Sequence, residues 1–158
     1  MSTHTAIVEW RSDGSRFTDN RYSRAHQWRF DGGAVVPASS SPHVVRVPLS
    51  DPAGVDPEEA YVAALSSCHM LWFLSIAAEA GLAVESYRDE ASGAMAKNAA
   101  GKEWVERVVL RPHVVVRAES VIDDAGIDAL HHRAHEACFL ANSVKTDVVV
   151  EGTVGREG

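Results

Sequence analysis

DPEEAYVAALSSCHMLWFLSIAAEAG, residues 56–81, is the stretch on which the reading of this chain turns. It opens with helix-start chemistry. Asp56 stands as N-cap, Pro57 at the first helical position, and Glu58 and Glu59 in the first turn, with Glu59 spaced to close a capping box on Asp56. At the far end Gly81 is a helix stop. The expectation is one helix from Pro57 to about Ala80. Within it Tyr61 to Ala78 is almost wholly apolar, near the length at which a membrane span must be weighed, yet Ser66, Ser67, Cys68 and His69 occupy its middle and basic flanks are missing. A central helix buried on nearly all sides fits better than a span. A small domain supplies so much burial with difficulty, so the run also points to a dimer that shares its core.

Working outward, Thr5–Arg11 reads as a first strand, and His26–Asp31 and Ala34–Pro37 as a hairpin about Gly32-Gly33. His43–Leu49 reads as a third short strand. Beyond the helix, Val84–Ala96 and Trp104–Arg117 are two long strands joined by a polar turn with Gly101 at its tip. In the second, Trp104, Val108, Leu110, Val114 and Val116 share the drier face. Ile122–Leu140 reads as a second helix with Ile127, Leu130, Ala134, Ala137 and Cys138 at helical spacing, and Thr146–Val154 as a closing strand. With no repeat, linker or low-complexity tract, the order says α+β in a single domain over 1–158.

The 158 residues are 46% hydrophobic and 23% charged, ordinary for a soluble globular chain. A formal charge of −7 with 15 scattered Lys and Arg argues against nucleic acid, which wants a basic stripe. The start, MSTHTAIVEWRSDG, lacks the pattern of a secretory signal, and the expected location is cytoplasmic. In a reducing compartment the only two cysteines, Cys68 and Cys138, are poor candidates for a static staple. Catalysis, redox sensing and metal binding remain.

A buried thiol is ordinarily inert, and an adjacent arginine is one of few ways to make it a nucleophile near neutral pH. Glu58 lies ten positions before Cys68, about 15 Å along a helix, too far for direct contact. An arginine from the N-terminal strands would bridge them, held by the carboxylate while it holds the thiolate. The bland reading of Glu58 is compensation of the helix dipole. Around the second cysteine, His131, His135 and Cys138 fall at i, i+4 and i+7, one helical face at a spacing suited to a metal, to which Cys68 and His69 would add. Against that reading, there is no Cys-x-x-Cys pair or metal-helix signature. A Cys-His hydrolase would need an orienting partner that Asn142 supplies only by assertion, and no phosphate loop occurs.

The segments Asp56-Pro57-Glu58-Glu59, Ala63-Ala64-Leu65-Ser66-Ser67-Cys68 and Ala137-Cys138-Phe139-Leu140-Ala141-Asn142-Ser143 together resemble the OsmC/Ohr family of thiol-dependent hydroperoxide reductases. His69, where better-known members often carry an aromatic, places the likeness in the broader OsmC-like branch. The resemblance implies antiparallel sheets around a long buried central helix, an intertwined homodimer and a site built across its interface. By position it implies Cys68 as the peroxidatic thiolate, Cys138 as the resolving thiol and Glu58 as the carboxylate that orients an arginine. Arg24 is the choice for that arginine, with Arg21 and Arg29 as close competitors. The implied reaction reduces organic hydroperoxides, and hydrogen peroxide with them, through a Cys68 sulfenic acid and a Cys68–Cys138 disulfide. An external dithiol such as a lipoylated protein would recycle it, and no metal or organic cofactor is needed. Redox sensing or ligand binding on the same scaffold, and a Cys/His metal site, stand as alternatives.

Overall fold

The computed structural model describes residues 1–156, so the last two positions of the expected 1–158 domain lie outside the described residues. The chain divides into two compact units, 1–60 and 61–158, with the division falling in the first turn of the long helix.

In the first unit β1 (Ala6–Glu9), β2 (His26–Phe30) and β3 (Val35–Ala38) form an antiparallel sheet in that order. The β2–β3 turn uses Gly33 at φ +89°, a conformation open to glycine without a Cβ penalty. The strand expected at 43–49 is absent: the segment folds back on itself, with the amides of Val44 and Val45 both donating to the Ser41 carbonyl. Its β-branched run misleads because Val44 and Val47 face solvent, 69% and 55% exposed, with no sheet to pair with. The capping box forms as read. The Glu59 amide donates to Asp56 Oδ1 at 2.7 Å and the Asp56 amide to Glu59 Oε2 at 3.2 Å.

The helix so started, α1, runs Pro57–Glu79. Gly81 ends it at φ +73°, with the Leu82 amide donating to the Ala77 carbonyl and the Gly81 amide to that of Ala78, a Schellman closure. Within this chain only Leu65, His69, Phe73, Ile76 and Ala77 are buried, one stripe at helical spacing. Ala64, Ser67, Leu71, Ser75 and Ala78 form an exposed stripe opposite it, with Leu71 62% exposed. By length and composition α1 is also apolar enough to cross a membrane.

Each of the two long strands is broken into two. β4 (Val84–Asp89) pairs antiparallel with β7 (Pro112–Val116), and β5 (Ser92–Lys97) with β6 (Glu103–Leu110). Pro112 has no amide proton to give the ladder, and the Arg111 amide before it donates to Asp89 Oδ1 instead, so the hairpin turns a corner there. The closing strand breaks at the same level into β8 (Asp147–Val150) and β9 (Thr153–Arg156), which join β6 and β7 in parallel. The antiparallel pairs are therefore present, and both sheets of this unit are mixed.

The predicted drier face of the second strand is the core. Val108 and Leu110 pack with Leu65 of α1, while Val114 and Val116 pack with Phe73, Ile76 and Ala77. The two halves of α1 thus serve two sheets, with Cys68 between them. The second helix, α2, is shorter than expected, Asp124–Ala137, capped by Asp123, whose Oδ1 accepts from the Gly126 amide at 2.8 Å. Its Ile127, Leu130 and Ala134 complete the second cluster.

Candidate functional site

Cys68 sits mid-way along α1, half-buried, and Cys138 lies just past the end of α2, 1% exposed. Cys138 is not on the helix. It is the C-cap, with φ −65° and ψ 113°, so the backbone leaves the helix after it. The chain then turns through a short 3-10 segment, Ala141–Ser143, whose first amide donates to the Cys138 sulfur at 3.5 Å. Asn142 folds its Nδ2 back onto the carbonyls of Glu136 and Cys138, at 2.8 and 3.0 Å, which holds the turn closed.

The two sulfurs meet. Burial pushes the Cys138 thiol above its ordinary pKa, and a hydrogen bond with Cys68 raises it further; the Ala141 amide opposes both. One thiol is sealed and the other half-buried. Both are free thiols in the structure.

Beside them is a polar pair that the sequence reading brought together only as ligands of a candidate metal site. His69, next to Cys68 but on the buried face of α1, brings Nε2 to within 3.0 Å of Nδ1 of His131 on α2. The rings stack at 5.3 Å and 15°, and Phe73 stacks on the other imidazole at 4.2 Å. Both histidines are held down to a pKa of about 4, His69 by burial and then by His131 and His135, His131 by burial against the opposing pull of Asp128 and Asp89. They are neutral at neutral pH, and one N–H fills the gap between them. Whichever ring donates, one outer nitrogen keeps a proton and the other a bare lone pair. Both, His69 Nδ1 and His131 Nε2, are buried without a partner, as is His135 Nδ1.

Around the pair, Asp89 accepts from Ser66 Oγ on α1 as well as from the Arg111 amide. The buried Tyr87 hydroxyl is raised above its usual pKa by burial and by Asp89. Gly152 abuts the other edge of His131, where a Cβ would stand 2.7 Å from Nε2. A cavity of about 470 Å³ opens there, lined by Asp128, His131, His132, His135, Glu151 and Gly152 among others. Neither cysteine lines it. Among the described residues no group of three or more His, Cys, Asp or Glu is arranged to hold a metal ion. The two outer nitrogens of the histidine pair point away from each other, so one ion cannot take both.

Arg24 and Glu58 belong to the first unit. Arg24 is folded onto its own loop, where Nη1 donates to the carbonyls of Asn20, at 3.0 Å, and Tyr22, and Nη2 donates to Asn20 Oδ1 at 2.8 Å. Its guanidinium lies 3.8 Å from the centre of the Tyr22 ring, itself stacked on Phe17 at 4.6 Å. Of its competitors, Arg29 pairs with Glu9 at 3.2 Å across the β1–β2 ladder, and Arg21 is exposed. Glu58 is half-buried, and among the described residues no ion pair joins it.

The fold agrees with what comparison with known proteins returns. The family model of OsmC-like proteins matches residues 50–152. An OsmC-like protein of unknown function from Vibrio cholerae superposes with a TM-score of 0.94 at 59% identity, over 97% of this chain and 100% of that one. An organic hydroperoxide resistance protein from Elizabethkingia anophelis, solved with crystallant-derived thiocyanate, shares the fold at 15% identity and a TM-score of 0.67, over 99% and 98% of the two chains. A further V. cholerae structure, a putative organic hydroperoxide resistance protein with captopril bound in one of the active sites, does so at 17% identity and 0.64, over 98% and 94%. Among curated proteins none matches. With the family model spanning residues 50–152 and a 59% identical relative along nearly its whole length, this chain belongs to the OsmC-like protein family.

Proposed function

We propose that this protein is a thiol-dependent peroxidase that reduces organic hydroperoxides, and hydrogen peroxide with them, to alcohols or water. The observation that carries the reading is the meeting of a half-buried Cys68 with a buried Cys138. Cys68 as thiolate attacks the terminal peroxide oxygen. The O–O bond breaks, the alkoxide takes a proton and leaves as the alcohol, and Cys68 is left as a sulfenic acid. The Cys138 sulfur then displaces hydroxide, which leaves as water with the Cys138 proton, and a disulfide forms. An external dithiol, such as a lipoylated protein, returns both thiols by exchange.

Arg24 is the arginine of this cycle and Glu58 its orienting carboxylate. In this assignment Arg24 exchanges its bonds to Asn20 and Tyr22 for the Cys68 thiolate when substrate is present. A second copy of the chain covers the exposed stripe of α1. Names of hydroperoxide resistance proteins among the structural neighbours support the reaction class. The test is free-thiol count and intact mass after one equivalent of cumene hydroperoxide. Loss of both thiols with a mass fall of about 2 Da, reversed by dihydrolipoamide, is the expected result. Unchanged thiols would overturn the reading, and a disulfide that forms but does not turn over with the dithiol would favour a redox sensor.

A further inference from the structure

We propose that the His69–His131 hydrogen bond is a register lock that positions Cys68 opposite Cys138, and so sets how readily the two thiols close into a disulfide. The proposal rests on the dithiol reading of the site.

Among the described residues this is the only side-chain hydrogen bond between α1 and α2. The other contacts between these elements are apolar or aromatic: Phe73, Ile76 and Ala77 against Ile127, Leu130 and Ala134, and the edge-to-face Trp72–Phe139 pair at 5.3 Å. Apolar surfaces are non-directional and tolerate sliding and rotation, whereas an N–H···N bond between two stacked rings does not. A disulfide demands such exactness, because it requires a narrow range of separation and torsion between the two Cβ–S bonds. His69 is the residue after Cys68, and His131 stands two turns before Cys138, so an error in either helix is passed directly to a sulfur.

The pair also carries a burden that packing alone would not select. Each of its outer nitrogens is buried without a partner, although two apolar side chains would fill the same space with no polar atom unpaired. Gly152 leaves room for the His131 edge where any Cβ would stand 2.7 Å away. The surroundings are thus shaped to keep an imidazole here. Buried polar pairs that specify register at the expense of stability are known in helix assemblies.

The bond uses Nε2 of one ring and Nδ1 of the other, which makes a discriminating test available. Asparagine places an amide atom where the Nδ1 of a histidine lies, and glutamine one where Nε2 lies; either amide can donate or accept. The full chain is equilibrated in reduced and oxidised dithiothreitol at pH 7, and the fraction of Cys68–Cys138 disulfide is read by mass. In this exchange two protein S–H bonds and the reagent's S–S bond break, one protein S–S bond forms, and the reagent takes both hydrogens. His131→Asn is expected to hold the equilibrium constant within about twofold of the parent, and His131→Gln to lower it by about tenfold or more. The pair His69→Leu with His131→Leu is expected to lower it as far, while its Tm stays equal or rises. Should the double variant fail to fold, the Asn and Gln variants still decide. Equal constants for Asn and Gln, or an unchanged constant in a folded double-Leu protein, would overturn the lock. A parent protein that forms no disulfide in this buffer overturns the dithiol reading itself, and the lock with it.

Discussion

Cys68 and His69 are neighbours on α1, and each meets a partner from the segment 131–138, yet the two places are built in opposite ways. The thiol is half-buried, and it meets another thiol. The imidazole is 1% exposed, bonded to His131 at 3.0 Å and stacked on that ring, against which Phe73 and Tyr87 pack in turn. A helix turns about 100° between successive residues, so chemistry placed on one position and architecture on the next need not interfere. The reactive group is left free to change its bonds, and the group that holds the helices is denied that freedom. The stability cost is two unpaired buried nitrogens, about 1–3 kcal/mol each.

The sharpest way to break this comparison is at the sulfurs. Cys68→Ser is expected to lower peroxide consumption by more than ~10³-fold, since the nucleophile is removed. Cys138→Ser is expected to stop after the first oxidation, giving a mass gain of about 16 Da, a dimedone-trappable sulfenic acid and overoxidation with excess peroxide. Equal kinetics in the two variants would erase the distinction between them. On the imidazole side acid is the larger perturbation. Both rings protonate near pH 6.5 when unfolded and near 4 when folded, so the unfolded chain binds more protons between those values. Stability is expected to be level above about pH 6.5 and to fall by on the order of 3 kcal/mol for each ring as pH drops to 4, read by urea unfolding at each pH. In the double-Leu variant this slope should largely vanish.

Gly152→Ala drives a methyl into His131 from the cavity side. It is expected to cost about 2 kcal/mol and lower Tm by roughly 4–8 °C in a thermal melt, with both thiols still titratable. The smallest effect sharpens the comparison at the start of α1, remote from both pairs. Asp56→Ala removes half of the capping box and is expected to cost about 1 kcal/mol in urea unfolding without changing the dithiol equilibrium.

Much of the scaffold was legible because local rules and tertiary packing agree. The cap at Asp56, the stop at Gly81, the hairpin at Gly33 and the dry face of Val108, Leu110, Val114 and Val116 are each decided within a few residues of chain. The failures have local causes too. Pro112 marks the break in the long hairpin, and its lost amide was readable in Arg111-Pro112-His113. The valines at 44–47 carry β-propensity with no partner strand to realise it. Cys138 falls outside α2 because the chain must leave the helix to turn through Ala141–Ser143, and no residue at 138 announces that. The polar residues of the site were visible as a histidine inside an apolar run and two more at i and i+4. Their pairing was not, because 62 positions separate His69 from His131.

By itself, then, the sequence determined the limits of α1, the hairpin at Gly33 and the two thiols on which a redox chemistry can rest, since these follow from short-range spacing and residue chemistry, and its motifs carried the resemblance to the family. Only the tertiary structure decided which histidine meets which, that Cys138 is sealed and Cys68 half-open, and that α1 keeps a second face uncovered. These depend on how helix and sheet fill one volume, and burial and hydrogen-bond partners are properties of that packing, which no stretch of chain carries alone.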